Sequence, residues 1–218
     1  MLAQSLQKLV ALASAPLCHS ARALDPSVHK REGSVATELE ALLKAKNGFY
    51  AFEGALHVLS MQSCHESIGI EEWNSPELWR GAYADLARGL WFFAEDAFGG
   101  QFCVREGVVC SFDPETGATQ YVAPNLEDWA RAILDDFEVL TGHPLARHWQ
   151  VLNGAIPSGK RLVPRIPFAC GGQYVPDNLM LLDAIEGMRL RGEVARQIAH
   201  LPPGTRVRFE LGSDNGPE

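Results

Sequence analysis

No apolar run in this chain approaches the roughly 18 residues that a helix needs to cross a bilayer. A surplus of basic residues is missing too. The net charge is −8, which argues against direct contact with nucleic acid, because phosphate binding needs a basic surface. Cysteine is sparse and odd in number: five, at 18, 64, 103, 110 and 170, with no CxxC spacing. The sequence therefore predicts neither a disulfide framework nor a zinc site, and free thiols in a reducing, cytoplasmic compartment.

The motifs of common catalytic classes are absent as well. There is no GxSxG nucleophile elbow, and none of the seven histidines stands in HExxH or HxExH spacing. Cys64 and His65 are neighbours in a loop, which does not set a base on its nucleophile. Glu95-Asp96 and Asp135-Asp136 are adjacent pairs, and adjacent side chains point different ways on a helix or strand. The stretch "NGAIPSGKRLV" (153–163) imitates a phosphate-binding loop but fails on chemistry. Arg161 stands where a magnesium-binding Ser or Thr is needed, and Pro157 offers no N–H to phosphate. It reads as a turn with two basic residues. "GGQ" at 99–101 and 171–173 reads as turn glycines before strands. No catalytic residue, cofactor or metal is expected.

What is present is ordinary for a packed domain: 46% apolar and 21% charged residues in a chain of 218. Charge is uneven along it. Residues 1–140 hold 20 acidic against 10 basic side chains; 141–218 hold 7 against 9. An acidic surface suits a basic partner. At the start, Leu2, Leu6, Leu9 and Ala13 follow helical spacing, which favours an amphipathic helix over a degenerate signal peptide ending at Ala21-Arg22-Ala23.

Residues 20–33 read as a connection, and Ser34 as the cap of a helix carrying Val35, Leu39, Leu42 and Leu43, stopped at Asn47-Gly48. Extended structure over 49–60 and a loop over 61–75 follow. Ser75-Pro76 then opens a helix bearing Trp79, Tyr83 and Leu86. "LWFFAED" (90–96) fits a buried strand. Glu106-Gly107 joins two strands as a two-residue hairpin, a register that sets Cys103 opposite Cys110. "PETG" turns into a third strand, and Asn125 caps a helix with Leu126, Trp129, Ala130, Ile133, Leu134 and Phe137 on one face, ending at Gly142. After that, Pro144, Pro157, Pro164 and Pro167 punctuate a largely extended segment to about 170. A helix over 183–200 and a strand bearing Val207, Phe209 and Leu211 complete the reading.

The wording "LWFFAEDAFGGQFCV" followed by "VVCSFDPETGATQYVAPNLEDWARAIL", with "NGFYAFEGAL" upstream, resembles the SUKH superfamily in its Smi/Knr-like branch, over roughly residues 34–140. That resemblance implies an α+β domain, an antiparallel sheet meander packed by helices, here with a C-terminal α/β extension. It also implies a protein-binding role, frequently as a bacterial immunity protein that binds and neutralises a toxin. It carries over no functional residue. The expected organisation is an N-terminal helix and connection (1–33), the Smi/Knr-like domain (34–142), an extension packing on it (143–211) and a tail (212–218). The expected partner is a protein, a basic toxin domain, with no nucleic acid and no membrane. The alternatives are a small-molecule-binding or hydrolytic site assembled only in three dimensions, which a deep pocket holding His57, Cys64 or His65 with carboxylates would favour, and a scaffold or oligomer component.

Overall fold

Six strands follow one another in space in the order they follow along the chain. In the computed structural model, which describes residues 2–65, 67–202 and 204–205, β1 (Phe49–Ala51), β2 (Leu56–Val58), β3 (Trp91–Asp96), β4 (Gln101–Arg105), β5 (Val108–Phe112) and β6 (Thr119–Ala123) form one antiparallel meander. Helices α1 (Gln4–Leu12), α2 (Pro26–Ala45), α3 (Ile70–Trp73), α4 (Leu126–Asp135), α5 (Phe137–Thr141), α6 (His143–Asn153) and α7 (Ala184–Ile198) pack around it, and β7 (Lys160–Pro164) pairs with β8 (Leu179–Asp183) in a separate two-stranded sheet. This is the α+β class expected, with its meander. The strand expected on Val207, Phe209 and Leu211, and the tail after it, lie outside the described residues. No helix among the described residues is long and apolar enough to cross a membrane.

Side-chain alternation gives the sheet two buried faces. On one, Phe93 and Phe102 meet Trp129 of α4 edge-on, with ring centroids 5.1 and 5.6 Å apart. On the other, Phe92 and Phe112 meet Trp79 and Tyr83 at 4.9 and 5.1 Å. The helix caps are supplied across the fold. Glu38 of α2 accepts the Leu126 amide, and Glu127 of α4 accepts the Ser5 and Leu6 amides of α1, which has no side-chain cap of its own.

The Glu106-Gly107 hairpin has the expected register, Cys103 opposite Cys110. Both loop residues take positive φ, 52° and 79°, the twist that matches flanking strands and that glycine adopts without a steric penalty. Both thiols are free and buried, and burial pushes their pKa values up. Titration of the native protein with an aromatic disulfide reagent should therefore label Cys170 first, and Cys103 and Cys110 only after denaturation. Rapid native labelling of the pair would show that they are not an inert part of the core.

Four expectations are corrected. The second helix starts at Pro26, not Ser34. Asp25 caps it by accepting the Ser27 amide, and it bends at Gly33 (φ 58°, ψ −129°), so Ser34 opens only its second leg. Residues 75–87 form 3-10 turns at Arg80–Ala82 and Ala84–Ala87 instead of a helix. Ala84 takes φ 49°, and the Arg80 guanidinium gathers the carbonyls of Asn74, Ala87 and Leu90 around it. Trp79 and Tyr83 are buried all the same. The segment after Gly142 is helical to Asn153, because Pro144 sits in a first turn where its missing N–H matters little.

The fourth correction is the disulfide. Cys18 and Cys64 are bonded across a separation of 46 residues, with Cα atoms 6.1 Å apart. Residues 14–18 lie along the outer edge of β1. There Ser14 N donates to Tyr50 O, Leu17 N to Gly48 O and Cys18 N to Asn47 O, at 2.8–3.0 Å. This carries Cys18 to the 61–65 loop, and it also covers one edge of the sheet.

Candidate functional site

The register of four strands sets four polar or aromatic residues side by side on one face: Tyr50 opposite His57, His57 opposite Glu95, Glu95 opposite Gln101. The Tyr50 and His57 rings stack at 4.4 Å. His57 Nδ1 lies 2.9 Å from Glu95 Oε1, Gln101 Nε2 lies 3.3 Å from Glu95 Oε2, and Trp73 Nε1 donates to Gln101 Oε1 at 2.9 Å. Arg161 of β7 closes the row: its Nη2 is 2.9 Å from Glu95 Oε1, and its guanidinium lies over the Tyr50 ring. The contact is close as a pair of charges but is not aligned as a hydrogen bond, leaving Arg161 Nε and Nη2 without an acceptor.

Burial pushes the His57 pKa down, so the ring is neutral near pH 7, although Glu95 pulls the other way. Burial alone would raise the Glu95 carboxyl, but Arg161 first, and then the His57 and Gln101 hydrogen bonds, hold it below its usual range. Because the carboxylate can only accept, His57 Nδ1 carries the proton and Nε2 carries the lone pair. Arg161, read from the sequence as a turn residue, is thus a buried counter-ion, 1% exposed, which removes it from any phosphate-binding role.

A larger opening lies at the far end of the sheet. It is a cleft of about 560 Å³ where the 97–100 and 113–118 turns face α5, the 168–174 loop and α7. Its walls carry Asp96, Asp113 and Glu115 together with the rings of Phe98, Phe168 and Tyr174. Among the described lining residues Arg191 is the one Lys or Arg, and it is already engaged, donating to Phe98 O, Gly187 O and the Met188 sulfur. Phe168 and Tyr174 stack at 4.0 Å, and Tyr174 is 71% exposed.

Asp96 Oδ1 accepts the amides of Phe98 and Gly100 at 2.7 and 2.8 Å. A Cβ on Gly100 would stand 2.3 Å from Asp96 Oδ2, so glycine is required for that turn to close over the carboxylate. Burial nevertheless pushes the Asp96 pKa up to about 7, against those two amides, and raises Glu115 against the amides of Ala169 and Phe168. Asp113 holds its own turn, accepting from Glu115 N and the Thr116 hydroxyl.

Of the three residues named for a small-molecule or hydrolytic site, one stands with carboxylates: His57 borders a small space together with Glu95 and Asp183. His57 is in the buried row, Cys64 is in the disulfide, and His65 is exposed on its loop. The Gly99-Gly100-Gln101 turn does open a strand, whereas Gly171-Gly172-Gln173 leads into a 3-10 turn before β8.

No family profile matches the chain, and no curated protein matches its sequence. Among solved structures, the crystal structure of Atu4351 from Agrobacterium tumefaciens is similar, with a TM-score of 0.53 at 11% identity over 84% of this chain and 86% of that one. At that identity the similarity is one of fold alone.

Proposed function

We propose that the chain is a non-enzymatic protein-binding domain of the immunity type, which occludes a basic toxin domain. The observation that carries this reading is the cleft. It offers three carboxyl groups and a stacked aromatic pair whose Tyr174 ring is exposed, and the one Lys or Arg among its described lining residues is spent on internal contacts. A basic side chain entering it meets opposite charge and an aromatic face together. The resemblance of residues 34–140 to Smi/Knr-like domains supports the same conclusion, as does the acidic balance of 1–140.

The product of the adjacent reading frame is the partner to test. It should bind this protein with an on-rate that falls at least about tenfold between 50 and 500 mM salt, as screening removes steering. Asp113→Asn with Glu115→Gln should slow association further and weaken protection of cells expressing that product. An on-rate indifferent to salt and to both substitutions would overturn the reading.

A further inference from the structure

Beside the buried row is a second, smaller space of about 60 Å³, separate in its lining from the cleft. Its inner wall is Tyr50, His57, Glu95 and Trp73; its outer wall is Gly159 and the Asp183–Ile185 start of α7; Ser67 and Ile68 border it. His57 is 4% exposed, and its Nε2 has no hydrogen-bond partner. A buried acceptor left unpaired is unfavourable, and native folds satisfy such atoms with protein, water or ligand.

The chemistry of the walls selects what satisfies this one. An anion is disfavoured by the Glu95 and Asp183 carboxylates, and the first amides of α7 are already taken. Ala184 N donates to Gly159 O, and Ile185 N and Glu186 N donate to Asp183 Oδ1. A cation gains little, because Arg161 already neutralises Glu95 and Lys160 Nζ stands 3.9 Å from Asp183. No group of three His, Cys, Asp or Glu among the described residues could hold a metal. What remains is a neutral donor. The Ser67 hydroxyl, which donates to Ile68 O and receives from Ser60, keeps accepting capacity at the same wall.

We propose that this cavity is a hydroxyl-binding site. Its ligand donates to His57 Nε2, and the site is filled by water in the resting protein and able to take a small alcohol in its place. The volume has room for two or more waters, each of which needs only about 10–15 Å³ of such space. This site is independent of the partner-binding cleft, so either reading stands if the other falls.

The test uses the full chain labelled with ¹⁵N and ¹³C. The His57 ring should read as the Nδ1–H tautomer with a hydrogen-bonded Nε2, and the ring proton beside Nε2 should show cross-relaxation with long-lived water. A dry cavity, without that cross-peak, overturns the proposal. Titration with methanol should then move the resonances of His57, Ser67, Gly159 and Ala184 and extinguish the water cross-peak. Acetonitrile, similar in size but without a hydroxyl, should leave them in place; equal shifts from both solvents would show an apolar hole instead of a hydroxyl site. In Ser67→Ala and His57→Phe the methanol shifts at the remaining wall residues should be lost, and their persistence in both variants would also overturn the assignment.

Discussion

Replacing Arg161 with methionine is expected to lower the stability of the protein by about 3–5 kcal/mol, the usual result of leaving one partner of a buried ion pair uncompensated. Arg161 is 1% and Glu95 2% exposed, so water does not take over the role of the lost guanidinium. Urea unfolding at pH 7 measures the loss as a fall in midpoint. The double variant Arg161→Met with Glu95→Gln removes both charges and should regain most of it, because the glutamine keeps an acceptor for His57 and Gln101. The pH response separates this from a packing defect. In the native protein Glu95 titrates below its usual range, so its contribution is present above the unfolded value and is lost as pH falls. In Arg161→Met the carboxyl is raised instead, and the variant should gain stability relative to wild type as pH falls from 7 to 5. A double variant no more stable than the single one would show that the pair is not the cause.

Asp96 gives the second large effect, with the opposite slope. Its folded pKa is pushed up by burial to about 7 from the ordinary aspartate value of 3.8. Between those values the native state holds a proton that the unfolded chain has lost. Unfolding therefore releases a proton, and stability falls as pH rises through the window. Three units would correspond to about 4 kcal/mol as a ceiling, which solvent entering the cleft reduces to about 1–2 kcal/mol. Asp96→Asn keeps the oxygen that accepts the Phe98 and Gly100 amides and removes the charge. It should be more stable than wild type by that amount at pH 8, equal to it near pH 4, and flatter between. An unchanged slope in the variant would place the titration elsewhere, with Glu115, shifted in the same direction, the next residue to substitute.

How far each of these features was legible in the sequence depended on the range of the interaction. The Cys103–Cys110 pairing could be read because a two-residue loop fixes register within ten residues. The α4 helix could be read because Asn125 and the five apolar residues from Leu126 to Leu134 obey one period, and its cap is made as expected, Asn125 Oδ1 accepting the Asp128 amide. The single helix expected to run on to Gly142 instead breaks at Asp136, which places Phe137 in α5. Pro144 misled, since a proline marks either a helix start or an extended chain, and only the Gly142 turn before it decides between them. Ala84 gave no signal of its positive φ, because alanine carries no preference for that conformation. The Cys18–Cys64 bond depends on the 14–18 segment lying along β1, a contact between residues about 30 apart in sequence. The polar row was illegible for the same reason. Tyr50, His57, Glu95 and Gln101 share no spacing, and become neighbours only when three strand registers are set together. Arg161 arrives from a separate sheet.

One earlier detail bears on synthesis. Every neighbouring pair in the six-stranded sheet is also consecutive in sequence, so each strand has its partner ready as it leaves the ribosome, and apart from the 59–90 connection between β2 and β3 the loops to be closed are short. The first helix is the exception. Its opening amides are held by Glu127, 122 residues on from Ser5, and Glu127 belongs to α4, which follows β6, the last strand of the meander. α1 therefore cannot be fully seated until α4 has been made. Until α4 emerges, the first amides of α1 have no side-chain acceptor and its Leu6 and Leu9 face lacks the packing of α4.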